Sequence, residues 1–313
     1  MDFLYLTLGI AGLGISAHFI VRGVKNIAKF FKISELFIGL TVISIGTSLP
    51  EISVNIVSAL NKLNGIDSSG IAVGNVIGSA INQFTIIIGI LAVIHYVVVS
   101  KRSIKRDGLV LLGVIVVVFI MALDLNVSRL EGALLIIFYL FYLFSLKGEC
   151  NVFKKLRGRR PKGELLWDFL FLVGGLMLIS FSSKMVVESA ILISHGFQIS
   201  ESIIGLLVVG LGTGLPELTI ALFAVLKKSY RLAIGNLIGS NICDLMLSLG
   251  IGSVISGFTV DRQILQFDIP FLFFLSIVVL LFLRSKYRLE KKEGVALLVI
   301  YLFYVGFKLI FHM

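Results

Sequence analysis

The stretch GTSLPE, residues 46–51, sets a proline and a glutamate side by side inside an apolar run that extends from about 34 to 60. Proline within a helix has no N–H to donate and its ring crowds the carbonyl four residues earlier, so Pro50 releases the Gly46 carbonyl. In hydrocarbon a released carbonyl costs several kcal/mol until it meets protein, water or an ion. The stretch therefore reads as a broken membrane helix that presents backbone oxygens, with the Glu51 carboxylate beside them. An ionisable group at that depth is a functional residue by default.

The rest of the chain supports a membrane setting. Its 313 residues are 58% hydrophobic and 15% charged, with a mean hydropathy of +1.04. A helix needs roughly 17–25 apolar residues to cross the hydrocarbon. Ten such runs occur, at about 3–21, 34–60, 70–99, 108–124, 130–147, 165–194, 201–226, 231–257, 266–284 and 293–311. Runs such as LLGVIVVVFIMAL (111–123) are apolar on every side, which excludes the alternating segments of a membrane β-barrel. The expected fold is an all-α integral membrane protein of ten transmembrane helices. Met1-Asp2 opens on an acid and the first basic residue, Arg22, follows the first run, so no cleaved signal peptide is expected. Cys150 and Cys243 are too distant in setting to suggest a disulfide framework or a metal cluster.

The net charge of +10 is a matter of topology. Of 28 lysines and arginines, 23 fall in the loops after odd-numbered runs, including seven between Lys147 and Lys162. Basic loops stay cytoplasmic, which places both termini outside a cell membrane. The lipid bilayer is the expected partner. No basic face with interleaved aromatics points to nucleic acid, and no obligate protein partner is evident in the sequence.

The chain repeats itself. IGLTVISIGTSLPEIS (38–53) and IGLLVVGLGTGLPELT (204–219) share nine of sixteen positions, and AVGNVIGSAI (72–81) and AIGNLIGSNI (233–242) share seven of ten. FKISE (31–35) matches FQISE (197–201). Residues 1–147 thus form a first five-helix repeat, 148–164 a basic cytoplasmic connector, and 165–313 a second five-helix repeat. An odd number of spans per half sends the second copy into the membrane from the opposite side, an inverted-topology repeat of the kind found in secondary transporters. Duplication kept for packing alone would explain small residues such as Gly74, Gly78 and Ser79. It gives no reason for carboxylates.

Those carboxylates set the chemistry. Glu51 and Glu217 occupy equivalent places, each after a proline, and Pro216 releases the Gly212 carbonyl as Pro50 does that of Gly46. Asn75, Ser79 and Gln83 fall at i, i+4 and i+8, as do Asn236, Ser240 and Asp244, so each trio lines one helical face. Carboxylate, amide, hydroxyl and carbonyl oxygens without histidine suit calcium and other hard cations rather than zinc or copper. A site with three carboxylates is costly when empty, which points to exchange of one cation for another.

The paired GTSLPE and GTGLPE, each followed by G-N-x-I-G-S, resemble the alpha repeats of the cation/calcium antiporter superfamily, in its prokaryotic sodium/calcium exchanger branch. The resemblance covers the ten-span plan. It implies exchange of calcium for sodium by alternating access, with ion sites between spans 2, 3, 7 and 8, and spans 1 and 6 sliding as a gate. It further implies that Glu51 and Glu217 ligate both ions, that Thr47 and Thr213 offer backbone carbonyls, that Ser48, Ser79 and Ser240 complete sodium coordination, and that Gln83 and Asp244 complete the metal-ligand set. No cofactor is implied; the transported ions are Ca2+ and Na+. Two positions depart from the family pattern: Gln83 stands where relatives carry asparagine, and Gly214 where they carry serine. These departures keep a proton-coupled or potassium-assisted calcium exchanger open as the alternative.

Other classes fit less well. A cation channel uses carboxylates and carbonyls too, but an antiparallel internal duplication does not make a ring of identical subunits. An intramembrane enzyme lacks a nucleophile–base pair in the spans; the chain reads as a transporter. Asp124, Arg129 and Glu131, and likewise Asp261, Arg262 and Asp268, read as solvated charges at the outer loops. Asn55, whose repeat counterpart is Ala221, reads as a hydrogen-bonding residue rather than a ligand.

Overall fold

The computed structural model describes residues 2–31, 33–99, 101–146, 162–196, 212 and 214–310. Its long elements are all helices: α1 (Asp2–Phe31), α2 (Glu35–Thr47), α3 (Leu49–Leu63), α4 (Ser69–Ile94), α5 (Lys101–Met121), α6 (Arg129–Ser145), α7 (Lys162–Gly196), α8 (Leu215–Leu226), α9 (Tyr230–Ser256), α10 (Ile264–Ser285) and α11 (Lys291–Ile310). Among the described residues, six helices are long and apolar enough to cross a membrane, and α2 with α3 makes a seventh if the broken pair counts as one span. The expected runs at 130–147 and 293–311 correspond to α6 and α11. Of the run at 201–226, only α8, of 12 residues, and a turn before it lie within the described residues.

The helices divide by how much of them is covered. In α4 and α9, which carry the G-N-x-I-G-S segments, 72% and 78% of the apolar window is buried, against 33–44% in α1, α5, α7 and α10. Phe141, Trp167, Met177 and Phe303 stay exposed, as apolar groups in contact with lipid would. Helices apolar on every side therefore sort by neighbour. The two that carry the G-N-x-I-G-S segments take the most protein around them.

Two compact units result, and they are not the two halves of the sequence. One comprises 1–47 and 146–236, the other 48–145 and 237–313. In the first, α1 packs along α7. A Cβ added at Gly9 would stand 2.7 Å from Val186 Cγ2 and 3.1 Å from the Ser182 carbonyl. One added at Gly175 would stand 2.6 Å from Ile20 Cγ1 and 3.2 Å from the Ser16 carbonyl. In the register that equates FKISE with FQISE, Gly9 corresponds to Gly175, Ser16 to Ser182 and Ile20 to Val186. The contact is reciprocal, and only glycine lets the two backbones come so close.

The second unit shows the same reciprocity twice. Strand β1 (Val97–Val98) pairs antiparallel with β4 (Arg288–Leu289), and β2 (Asn126–Val127) with β3 (Phe258–Thr259). The end of α4 packs on α11, and the end of α9 on α6. Gly89 approaches the Gly294 backbone and Gly250 the Gly132 backbone, so that a Cβ on any of the four would lie within 3.1 Å of its partner's carbonyl oxygen.

Local polar chemistry starts α4 and α6. Asp67 Oδ1 accepts from the Ser69 amide at 3.0 Å and the Ser69 hydroxyl at 2.6 Å, satisfying a donor of the first turn. Glu131 Oε2 accepts from the Ser128 amide at 2.8 Å, and Ser128 Oγ accepts from the Glu131 amide at 3.3 Å, a reciprocal capping box. Glu131 is thus a capping residue. Asp268, expected to be solvated, is instead 3% exposed. It accepts from Tyr304 and Lys308 at 2.8 Å each, because its helix turn faces α11 rather than water.

Candidate cation site

Proline fixes where the broken helix resumes. Pro50 and Pro216 each sit in the first turn of a new helix, α3 and α8, where their missing N–H is no loss. The residue before each new helix has nearly the same backbone, φ −77° and ψ 2° at Ser48, φ −84° and ψ 1° at Gly214. Neither needs a glycine. Glu51 and Glu217 follow in the first turn, both fully buried, where the positive end of a helix favours an anion.

In the unit that holds α3, α4 and most of α9, the structure brings four of the expected residues into one hydrogen-bonded chain. Ser79 Oγ donates to Glu51 Oε1 at 3.4 Å. Gln83 Nε2 donates to Ser79 Oγ at 3.2 Å and to Asp244 Oδ2 at 3.4 Å. Gln83 Oε1 accepts from Asn241 Nδ2 at 2.8 Å, and the same nitrogen donates to the Leu237 carbonyl at 2.8 Å. Each of these residues is buried, as is Ser240. Ser48 lies near enough to interact with the Asp244 carboxylate, yet Ser48 Oγ and Asp244 Oδ1 have no hydrogen-bond partner among the described residues. A buried carboxylate oxygen left without a donor is costly.

Helix geometry changes at this chain. Residues Gln83–Ile87 and Asp244–Ser248 are π turns, and Gln83 and Asp244 are equivalent in the repeat register. A π turn loosens the backbone ladder locally and turns the helical face, a feature that recurs at functional sites. One turn beyond Glu51, Asn55 Nδ2 donates to Ser248 Oγ at 2.6 Å, as its reading as a hydrogen-bonding residue expects.

The other unit holds Thr47, Glu217 and Asn236. Thr47 Oγ1 donates to the Ser44 carbonyl at 3.3 Å or to Asn236 Oδ1 at 3.2 Å. The Gly212 carbonyl released by Pro216 accepts from Ser183 Oγ at 2.9 Å. That oxygen is met by protein. Thr213 lies outside the described residues. Among the described residues no three His, Cys, Asp or Glu side chains group as a metal centre; the oxygens assembled around Gln83 are two carboxylates, a hydroxyl and amides.

Packing does not account for Gly74 and Gly78. A Cβ at Gly78 would meet nothing within 4 Å, and one at Gly74 only Ile264 Cδ1 at 3.9 Å. Asn241 and Ser183 were not singled out in the sequence. The signal for Asn241 was its mismatch with Ala80 in an otherwise matching segment, and that for Ser183 its mismatch with Ala17.

The sequence matches the family described as sodium/calcium exchanger protein over residues 1–147 and 167–310. It is 29% identical to sodium/calcium exchanger MaX1 of Methanosarcina acetivorans, an alignment covering 98% of this chain and 97% of that one. It is 30% identical to the putative antiporter CaxA of Alkalimonas amylolytica, with 96% of each chain covered. The fold is similar to a solved structure of the sodium-calcium exchanger NCX_Mj soaked with sodium and zero calcium. The TM-score is 0.85 at 27% identity, with 97% of this chain and 98% of that one covered. A match across both halves, together with buried carboxylates in the first turns of α3 and α8, shows that the chain belongs to the sodium/calcium exchanger family, a transporter of the membrane and not an enzyme.

Proposed function

We propose that this antiporter moves calcium against sodium by alternating access, with Glu51, Glu217 and Asp244 as the charged ligands of the transported ions. Exchange of the two cations comes with the family. The observation that carries the ligand assignment is Asp244, a fully buried carboxylate whose nearby donors among the described residues are the uncharged Gln83 amide and Ser48 hydroxyl. A carboxylate in that position costs several kcal/mol unless a cation or proton joins it. Ser48, Ser79 and Ser240 add hydroxyl oxygens and Thr47 and Thr213 add carbonyls, a hard-oxygen set suited to calcium and sodium.

The need for a cation couples the two fluxes. If the emptied, fully charged set is too costly to reorient, each ion leaves only when another arrives. The plan of ten helices in two inverted repeats is supported by the reciprocal glycine contacts, in which Gly9 and Gly175, equated by the sequence repeat, make the same close approach. The basic residues after odd-numbered spans support placement in the cell membrane with both termini outside.

The test is radioactive calcium uptake into proteoliposomes loaded with sodium, potassium or a pH gradient. Sodium-loaded vesicles are expected to take up calcium, and Glu51→Ala, Glu217→Ala and Asp244→Asn to abolish uptake while the purified protein stays monodisperse. Uptake driven by the pH gradient alone, or only when potassium is present, replaces sodium coupling with the alternative. Full activity in any of the three variants removes that residue from the ligand set.

A further inference from the structure

Asn241 has no role in the ligand set that the family resemblance implies, yet its amide decides which way Gln83 points. An amide's oxygen and nitrogen are told apart only by their partners. Here the backbone supplies the answer. The Leu237 carbonyl can only accept, so the Asn241 atom 2.8 Å from it is nitrogen. That nitrogen also faces Gln83 at 2.8 Å, so the Gln83 atom there is the acceptor Oε1. The remaining Gln83 atom, turned to Ser79 Oγ at 3.2 Å and Asp244 Oδ2 at 3.4 Å, is therefore Nε2 with its two N–H groups.

A donor chain follows from one backbone carbonyl: Asn241 fixes Gln83, Gln83 holds Asp244 and Ser79, and Ser79 is left to donate to Glu51 Oε1. All five side chains are buried, so no bulk water competes for these bonds and the orientation is held. Gln83 then turns its N–H groups, rather than its carbonyl oxygen, toward Ser79 and Asp244. Its amide occupies one oxygen of Asp244 where a bound cation would otherwise sit.

We propose that Asn241 is a specificity-determining positioning residue. By locking the Gln83 amide as a donor, it withholds Asp244 Oδ2 and the Gln83 carbonyl from the transported ions, leaving Asp244 Oδ1 as that carboxylate's ligand and lowering the number of sodium ions the site can hold. The inference rests on Glu51 and Asp244 being ligands. Repeat asymmetry agrees with it. The equivalent of Asn241 is Ala80, and the equivalent of Gln83 is Asp244 itself, so the lock exists once.

The experiment measures exchange in proteoliposomes as a function of sodium and of calcium for the wild type, Asn241→Ala, Gln83→Leu and the double variant. Asn241→Ala frees the Gln83 amide to rotate and present Oε1. The sodium concentration for half-maximal exchange is expected to fall by about threefold or more, with a steeper sodium dependence, and the change to fall on half-saturation more than on maximum rate. In the Gln83→Leu background the Asn241 substitution is expected to add nothing further. Additive effects, or an Asn241→Ala sodium curve that overlays the wild type, overturn the proposal. Should Asn241→Ala not fold, Asn241→Ser keeps a donor for the Leu237 carbonyl but is too short to reach Gln83, and the same two outcomes apply. Loss of exchange in Asp244→Asn combined with no coupling between Asn241 and Gln83 would sink this inference alone; retained exchange in Asp244→Asn removes the ligand reading beneath it.

Discussion

Tyr304 Oη donates a 2.8 Å hydrogen bond to Asp268 Oδ1, and the equivalent pair one repeat earlier, Tyr142 and Asp107, makes the same bond at 3.4 Å. Each carboxylate is buried and each has its own cation, Lys308 at 2.8 Å from Asp268 and Arg106 at 2.7 Å from Asp107. The cation comes from a different place in each copy; the acid and the phenol are kept. Removing one partner of a buried pair leaves an uncompensated charge, which costs more than the pair contributes. Lys308→Met is expected to destabilise by about 3 kcal/mol, at the low end of the range for buried pairs because Lys308 keeps 20% exposure. Lys308→Met with Asp268→Asn is expected to recover most of that loss. Thermal unfolding in detergent reads both, and a double variant as unstable as Lys308→Met rules the pairing out as the cause.

The glycines separate into two kinds. A Cβ at Gly250 would stand 2.9 Å from Ile136 Cγ1 and 3.0 Å from the Gly132 carbonyl, so Gly250→Ala is expected to cost about 1–3 kcal/mol through overpacking. Gly78→Ala meets open space and is expected to be neutral or to stabilise by a few tenths of a kcal/mol through helix propensity. The same melting measurement compares them. Equal losses would contradict the geometry.

Gly214 adopts the backbone of Ser48 to within a few degrees. Gly214→Ser is therefore expected to fold without strain and to restore a hydroxyl where the second repeat lacks one. If Gly214 limits sodium binding, the variant shows a steeper sodium dependence of calcium uptake at unchanged melting temperature. A sodium curve identical to the wild type assigns the departure no role in coupling.

Outside the spans, Asp67 is held below the usual carboxylate range, chiefly by the Ser69 hydroxyl and then the Ser69 amide, with a further bond from Thr259. A carboxylate lowered in the folded protein contributes stability above its unfolded value near 3.8, and that contribution is lost as pH falls through its folded value. Asp67→Asn is expected to lower stability at neutral pH and to lose less than the wild type between pH 5 and pH 3. Parallel stability curves for the two proteins across that range would exclude Asp67 as the titrating group.

Residue patterns carried the membrane setting, the helical class and the duplicated motifs, because hydrocarbon leaves a chain few choices and a proline beside a glutamate has few uses there. They did not carry partnership. Asp268 reads as an outer-loop charge by its distance from the apolar centre, and only the fold shows Tyr304 and Lys308 closing over it. The orientation of Gln83 was likewise hidden, since one residue type can ligate through oxygen or donate through nitrogen. That choice was made by Asn241, three residues before Asp244 and 158 after Gln83. Ser183 was invisible for the same reason, a common residue made specific by the one carbonyl it meets.

The crossed glycine contacts bear on how the protein is made. Gly9 waits for Ser182 and Val186, Gly89 for Gly294, and Gly132 for Gly250. A ribosome delivers the first five helices before any of these partners, so that Gly9 stays unmet until α7 is made, Gly132 until α9 and Gly89 until α11. Each half is thus an unfinished surface rather than a domain. Cutting the chain between the repeats severs no contact of this kind, but supplying either piece alone leaves every one of them unmade.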